Sequence, residues 1–264
     1  MSASTPPSRD KRSEPEIAPS AICTVVHQDE ALIVVDKHAG FPVTPAAQYQ
    51  QRSVLRAVAA MGLGHTYPLN LLDREATGLV LLSRDEATAR SLRWNWRSND
   101  CERQYIGVAQ GDIASARGRI TFPIGVVQVG SRRRRGILAP DQGGKPAETR
   151  WRLLARGRGM SRLLLTLSGD RCHQARIHLA AIGHPLVNEG VYLERNKEIP
   201  MGALLEELDL RRHDMRKLPP FQIGLHLWRV QLPHPVDGHA LTLEAPVPRE
   251  LLDLMPGAWI VDTV

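Results

Sequence analysis

Apolar positions along this chain fall in short runs bounded by polar turns. Ile22-Cys23-Thr24-Val25-Val26 and Ala31-Leu32-Ile33-Val34-Val35 flank the polar His27-Gln28-Asp29-Glu30, a pattern that predicts a β-hairpin. Leu79-Val80-Leu81-Leu82 is too short for an ordinary helix and follows a polar turn closing at Gly78. It predicts a buried strand. Further strands are expected over 103–109, 149–155, 162–167, 225–232 and 240–244. Helical spacing is rarer. Ser53 is placed to cap a short helix through Val54, Leu55, Val58, Ala59 and Met61, ended by Gly62 or Gly64. Ser83 or Asp85 can cap a second helix running to about residue 98, and Asp170 a third that ends at Gly183 before Pro185. Residues 110–147 form a Gly-rich middle, and Ala203–Leu210 reads as an amphipathic insert followed by the basic Arg211-Arg212-His213. Short strands mixed with a few helices, without regular alternation, predict an α+β fold.

Composition narrows the class. The 264 residues are 42% hydrophobic and 23% charged, ordinary for a soluble globular protein with ample core material. Residues 1–20 are rich in Ser, Pro and charge and predict a disordered arm, with order beginning at Ala21. Lys and Arg outnumber Asp and Glu by 34 to 28, which suits a polyanionic partner. The three cysteines, Cys23, Cys101 and Cys172, have no metal-ligand spacing, pointing to a reducing compartment and, with no apolar stretch of membrane-spanning length, to a cytoplasmic protein. A monomer without obligate protein partner is expected.

Two stretches carry candidate chemistry. In Leu71-Leu72-Asp73-Arg74-Glu75-Ala76-Thr77-Gly78, one carboxylate lies beside apolar sequence, where burial is costly unless something pairs with it; a bond to its own turn backbone is the plain alternative. In Gly169-Asp170-Arg171-Cys172-His173-Gln174-Ala175-Arg176-Ile177-His178, arginines and histidines gather at a predicted helix start, a corner attractive to anions. His173, His178 and His184 do not share a helical face, which argues against zinc. Arg132, Arg133, Arg134 and Arg135 form either a solvated loop or a phosphate contact.

Taken in order, these stretches resemble the RluA-type pseudouridine synthases, which isomerise uridine in RNA. The resemblance runs from Ala21 onward. The family's Lys-Pro-Ala-Gly turn corresponds to Lys37-His38-Ala39-Gly40, and its His-Arg-Leu-Asp-x-x-Thr-Ser-Gly-Leu motif to Asn70–Leu79. Its Lys-x-Tyr corresponds to Arg103-Gln104-Tyr105, and its Thr-Gly-Arg-x-His-Gln-x-Arg-x-His to Gly169–His178. The family's Gly-His-Pro-Leu-x-Gly-Asp-x-x-Tyr is Gly183–Tyr192 here, and the late elements are Leu225-His226-Leu227 and His234-Pro235.

The resemblance implies a pseudouridine synthase fold, a mixed and largely antiparallel sheet with flanking helices and a central RNA-binding cleft. It implies Asp73 as the essential carboxylate, Tyr105 stacked on the target uracil and Arg171 paired with Asp73. Arg132–Arg135 and Arg176 are then candidates for holding phosphates of an rRNA or tRNA, and neither metal nor organic cofactor is called for. Residues 21–264 would be the catalytic domain, the preceding residues being too few for a separate RNA-binding domain. Three departures fall in the motifs. The family's His-Arg is Asn70-Leu71, its Thr-Ser is Ala76-Thr77, its Thr-Gly is Gly169-Asp170, and Asp170 would bring a second negative charge toward the Arg171–Asp73 pair. They raise an alternative, a weak or inactive RNA-binding or RNA-folding protein on the synthase scaffold.

Overall fold

The computed structural model describes residues 17–46, 52–96, 101–129, 131–192, 218–219 and 221–256. Nearly all of the predicted arm, the insert at 203–213 and the far end of the second predicted helix lie outside the described residues.

The first hairpin forms as its pattern requires. Strand β1 (Cys23–Gln28) pairs antiparallel with β2 (Leu32–Lys37). The turn is fastened by Asp29, whose Oδ1 accepts the backbone N–H groups of Ala31 at 2.8 Å and Leu32 at 2.7 Å. Strand β2 in turn pairs with β4 (Thr77–Ser83), all seven residues of which are buried. Leu32, Val34, Leu79 and Leu81 join one core with Ala89 and Leu92 of helix α2 (Glu86–Asn95). Ile33, Val35, Val80 and Leu82 join another with Val54, Ala57 and Val58 of α1 (Val54–Ala60). Cover on both faces is why these strands read as unbroken apolar runs rather than alternating ones. Each fully buried Leu, Ile or Val contributes about 1.5–3 kcal/mol, so β4 is a firm base for the loop that precedes it. Both helices are capped: Ser53 Oγ accepts from Arg56 N at 3.4 Å, and Asp85, not Ser83, caps α2, its Oδ1 accepting from Thr88 N at 2.8 Å.

Among the described residues the main sheet has ten strands. Beyond β2 and β4 it continues through β11 (Leu225–Pro233), β5 (Glu102–Gln110), β10 (Met160–Ser168), β9 (Glu148–Gly157) and β6 (Arg117–Ile120), with β3 (Tyr67–Pro68) on β4 and β12 (Ala240–Glu244) on β11. Its pairings are antiparallel except β4 with β11, a parallel contact confined to His226 opposite Thr77 and Leu227 opposite Gly78. Gly78 is required there. Its φ is +111°, and a Cβ would lie 2.3 Å from the Leu227 carbonyl oxygen, so only glycine permits both the conformation and the approach.

Two sequence expectations are corrected. The Gly-rich middle contains a separate hairpin, β7 (Ile124–Val129) with β8 (Arg132–Ile137), so the four arginines stand on a strand rather than in a loop. Asp170 does not cap a helix. Gly169 (φ +102°), Asp170 (φ +42°) and His173 (φ +60°) turn the chain, and helix α3 (Gln174–Ala181) begins only after them. Its C-terminus follows expectation: Gly183 N donates to Ala180 O at 3.0 Å and His184 N to Leu179 O at 2.9 Å, the paired bonds of a Schellman ending. A short helix, α4 (Arg249–Asp253), follows β12. Among the described residues no helix is long and apolar enough to cross a membrane. The three cysteines are free.

Candidate active site

The loop 69–76 is laid along β4 before it turns away. Leu69 N donates to Leu81 O at 2.8 Å, and the Asn70 side chain continues the ladder, accepting from Leu81 N at 2.9 Å and donating to Leu79 O at 3.1 Å. Asp73 then stands at the apex of a turn closed by Ala76 N on Asp73 O at 3.1 Å. Lys37 supports that turn from below. Fully buried, its Nζ donates to the carbonyls of His38, Phe41 and Arg74 at 2.9, 3.0 and 3.1 Å. Burial lowers its pKa to about 7, against the upward pull of Asp73 and Glu75.

The partner of Asp73 comes from the other side of the sheet. Arg176, in the first turn of α3, donates from Nη1 to Asp73 Oδ2 at 3.1 Å. Behind it lies Glu189, wholly buried, which takes Arg176 Nε at 2.7 Å and Nη2 at 2.9 Å. Two parallel N–H···O bonds fix a guanidinium as one bond cannot. Glu189 Oε1 also accepts Val191 N at 2.8 Å, so Asp73, Arg176 and Glu189 form a line anchored in backbone. Burial lowers the Arg176 pKa, but Glu189 and Asp73 outweigh it and hold the group charged. On the other side of Asp73, His173 Nε2 is 3.5 Å from Oδ1, and its Nδ1 is bonded to the Tyr192 hydroxyl at 2.6 Å. Burial lowers the His173 pKa although Asp73 pulls it up, which favours a neutral ring.

Asp73, His173 and Arg176 line a cleft of about 1010 Å³, large enough to admit a ligand rather than a packing void. Tyr105 of β5 is in its wall and 8% exposed; burial pushes its hydroxyl pKa up. Arg135, Lys145 and Arg171 give the lining positive charge, and Leu71, 67% exposed, adds an apolar side chain. Asp73, Cys172 and His173 bring possible metal-ligating atoms within 4.8 Å of one another. The Arg176 charge already occupies the other Asp73 oxygen, however, and opposes a cation at that carboxylate.

Residues 31–181 match the family model described as RNA pseudouridylate synthase. The chain belongs to this family. A pseudouridine synthase family member of Escherichia coli, ribosomal large subunit pseudouridine synthase D, is 30% identical over 257 residues, 93% of this chain and 72% of that one. An uncharacterized RNA pseudouridine synthase of Synechocystis is 28% identical over 242 residues, 88% and 67% of the two chains. In fold, the chain is similar to human RNA pseudouridylate synthase domain containing 4, with a TM-score of 0.66 and 22% identity, covering 89% of this chain and 92% of that one. Family membership makes this an RNA-modifying isomerase with an α+β synthase fold.

Asp73 and Tyr105, the expected carboxylate and stacking residue, line one cleft, whereas the arginines make contacts other than those expected. Arg171 does not meet Asp73; its Nε donates to Pro146 O at 3.1 Å and the residue lines the wall. Arg176, expected on phosphate, is 2% exposed and committed to Asp73 and Glu189. Asp170 does not burden the Asp73 pair. It faces Arg103 Nη1 at 3.7 Å, and that guanidinium also donates to Leu167 O at 3.0 Å. His178 is structural, bonded to Thr149 Oγ1 and Phe122 O, both at 2.9 Å. Lys37, Glu189 and Tyr192 were missed as site residues. An isolated acid between Leu186-Val187 and Val191 was the available signal for Glu189.

Proposed function

We propose that this pseudouridine synthase isomerises a uridine of large-subunit ribosomal RNA and that Asp73 is its reacting carboxylate. The observation that carries the reading is the Asp73 carboxylate, held at the cleft by an arginine that is itself anchored on a buried glutamate. The bond from ribose C1′ to uracil N1 breaks, the same carbon joins uracil C5, and the C5 hydrogen leaves as a proton. Hydrolytic glycosidases need two carboxyl groups to protonate a leaving group and place a water. Here the base stays in the site, so one carboxylate suffices, whether it attacks the sugar, attacks the base or removes a sugar proton. A uridine in folded RNA must be extruded to reach Asp73, and the face of Tyr105 offers replacement stacking. The name of the Escherichia coli relative supports ribosomal RNA as the substrate class.

Arg133 and Arg135 share one face of β8, both exposed, and Arg135 lines the cleft. They are proposed phosphate contacts. Arg133→Ala with Arg135→Ala is expected to weaken RNA binding and flatten the log K against log salt slope by about 1–2. An unchanged slope in a filter-binding series would remove the hairpin from the RNA path.

Leu71 favours a second reading. It stands exposed where the family has arginine, consistent with a scaffold that binds RNA without turning it over. Tritium release from RNA labelled at uracil C5 decides between them, because the C5–C1′ bond cannot form without expelling that hydrogen. Release by the wild-type protein is expected. Salt-sensitive RNA binding without release would establish the second reading.

A further inference from the structure

Away from the cleft, the turn between β11 and β12 gathers a separate group of imidazoles and carboxylates. His234 N donates to His239 O at 2.8 Å and Gly238 N to His234 O at 2.9 Å, with Gly238 at φ +73°. This tight turn puts His234 Nδ1 at 3.3 Å and His239 Nδ1 at 2.5 Å from the same oxygen, Asp237 Oδ1. The two rings stack with centroids 4.8 Å apart. His234 is buried, whereas Asp237 and His239 are exposed.

The far side of His234 is equally organised. Its Nε2 faces Asp29 Oδ2 at 3.4 Å, and Asp29 is fixed by the β1–β2 turn and by His27 Nε2 at 2.6 Å. With Nε2 turned to Asp29, the His234 ring directs its Nδ1 to the Asp237 side of the turn. Val236 N, 3.4 Å away, donates to that same Nδ1. The Asp237 carboxylate lies 3.3 Å from that ring nitrogen, so an ion displacing the long Val236 contact would meet both donors at once. An imidazole backed by a carboxylate on its other nitrogen is the usual setting of a metal-bound histidine.

We propose that His234 Nδ1, His239 Nδ1 and Asp237 Oδ1 bind one divalent transition-metal ion of the Zn²⁺ type, with Asp29 orienting His234 from behind. Two imidazoles and a carboxylate are a borderline donor set suited to zinc. All three donor atoms lie within 4.8 Å of one another. Two of the three donors are on exposed side chains, which can open the direct Asp237–His239 hydrogen bond to admit the ion. The dication would balance Asp29 and Asp237, and it would tie the β1–β2 turn to the β11–β12 turn. The site shares no residue with the cleft.

Calorimetric titration of the untagged, chelator-treated full chain with ZnCl₂ at neutral pH tests this. One ion is expected to bind and to raise the melting temperature. His239→Ala and Asp237→Asn should each abolish both effects. Asp29→Asn keeps an acceptor for the turn N–H groups and is expected to weaken binding by about 10–100-fold. Cys172→Ala should leave binding unchanged. Absence of zinc binding overturns the proposal. Binding that survives His239→Ala and Asp237→Asn but is lost in Cys172→Ala overturns it too, placing the ion at Asp73, Cys172 and His173.

Discussion

Asp73→Asn is expected to abolish tritium release from C5-labelled RNA, by on the order of 10⁴-fold or more, while folding and RNA binding persist. Asparagine has the shape of aspartate and keeps an oxygen to accept the Arg176 Nη1 bond, seen at 3.1 Å. What it lacks is the negative charge, and a carboxamide neither attacks carbon nor takes a proton usefully. Arg176 would not be left uncompensated, because Glu189 holds it through two bonds. The melting temperature should therefore barely move. Turnover by the asparagine variant equal to wild type would sink the assignment of Asp73, and loss of RNA binding in the same variant would show that the carboxylate organises the cleft rather than reacting in it.

Arg176→Met is expected to cost both activity and stability. Removing the guanidinium strands the Glu189 charge at zero exposure, and breaking a buried pair by deleting one partner costs about 3–5 kcal/mol. For a chain of this size that lowers the melting temperature by roughly 10 °C. Adding Glu189→Gln should restore much of the loss, since glutamine is uncharged and keeps the oxygen that accepts Val191 N. It should not restore turnover, because Asp73 still lacks its partner. Thermal melts and tritium release on the single and double variants separate the two effects. A single variant as stable as wild type would contradict the buried-pair account.

Where a residue's partners lie close in sequence, the pattern was legible. The β1–β2 hairpin, the Ser53 cap of α1 and the Gly183 ending of α3 each depend on a few adjacent residues. So did the β4 run, because cover on both faces leaves an uninterrupted apolar signature. The arginine exchange shows where this fails. Starting α3 at Asp170 would put Arg171 in its first turn, but three left-handed residues delay the helix to Gln174 and bring Arg176 to Asp73 instead. In that turn Asp170 faces Arg103 at 3.7 Å, a contact between distant segments. The β7–β8 hairpin was hidden for another reason. Its second strand opens with four arginines, so no apolar alternation marks it. Glu189 looked like a surface acid until the fold brought a guanidinium against it.

The parallel joint at Gly78 and Leu227 divides the labour of the sheet. On one side stand β1, β2, β3 and β4, which deliver Asp73; on the other stand β5, β9, β10 and β11, which deliver Tyr105 and lead into the helix carrying Arg176. The backbone ladder joining these two blocks is confined to His226–Thr77 and Leu227–Gly78, and the Asp73–Arg176 bond is one of the crossties. Local opening follows the least-bonded boundaries of a protein. Opening at that joint would part Asp73 from Arg176 while each block keeps its own ladder, and an RNA strand gripped from both sides would act as a brace against it.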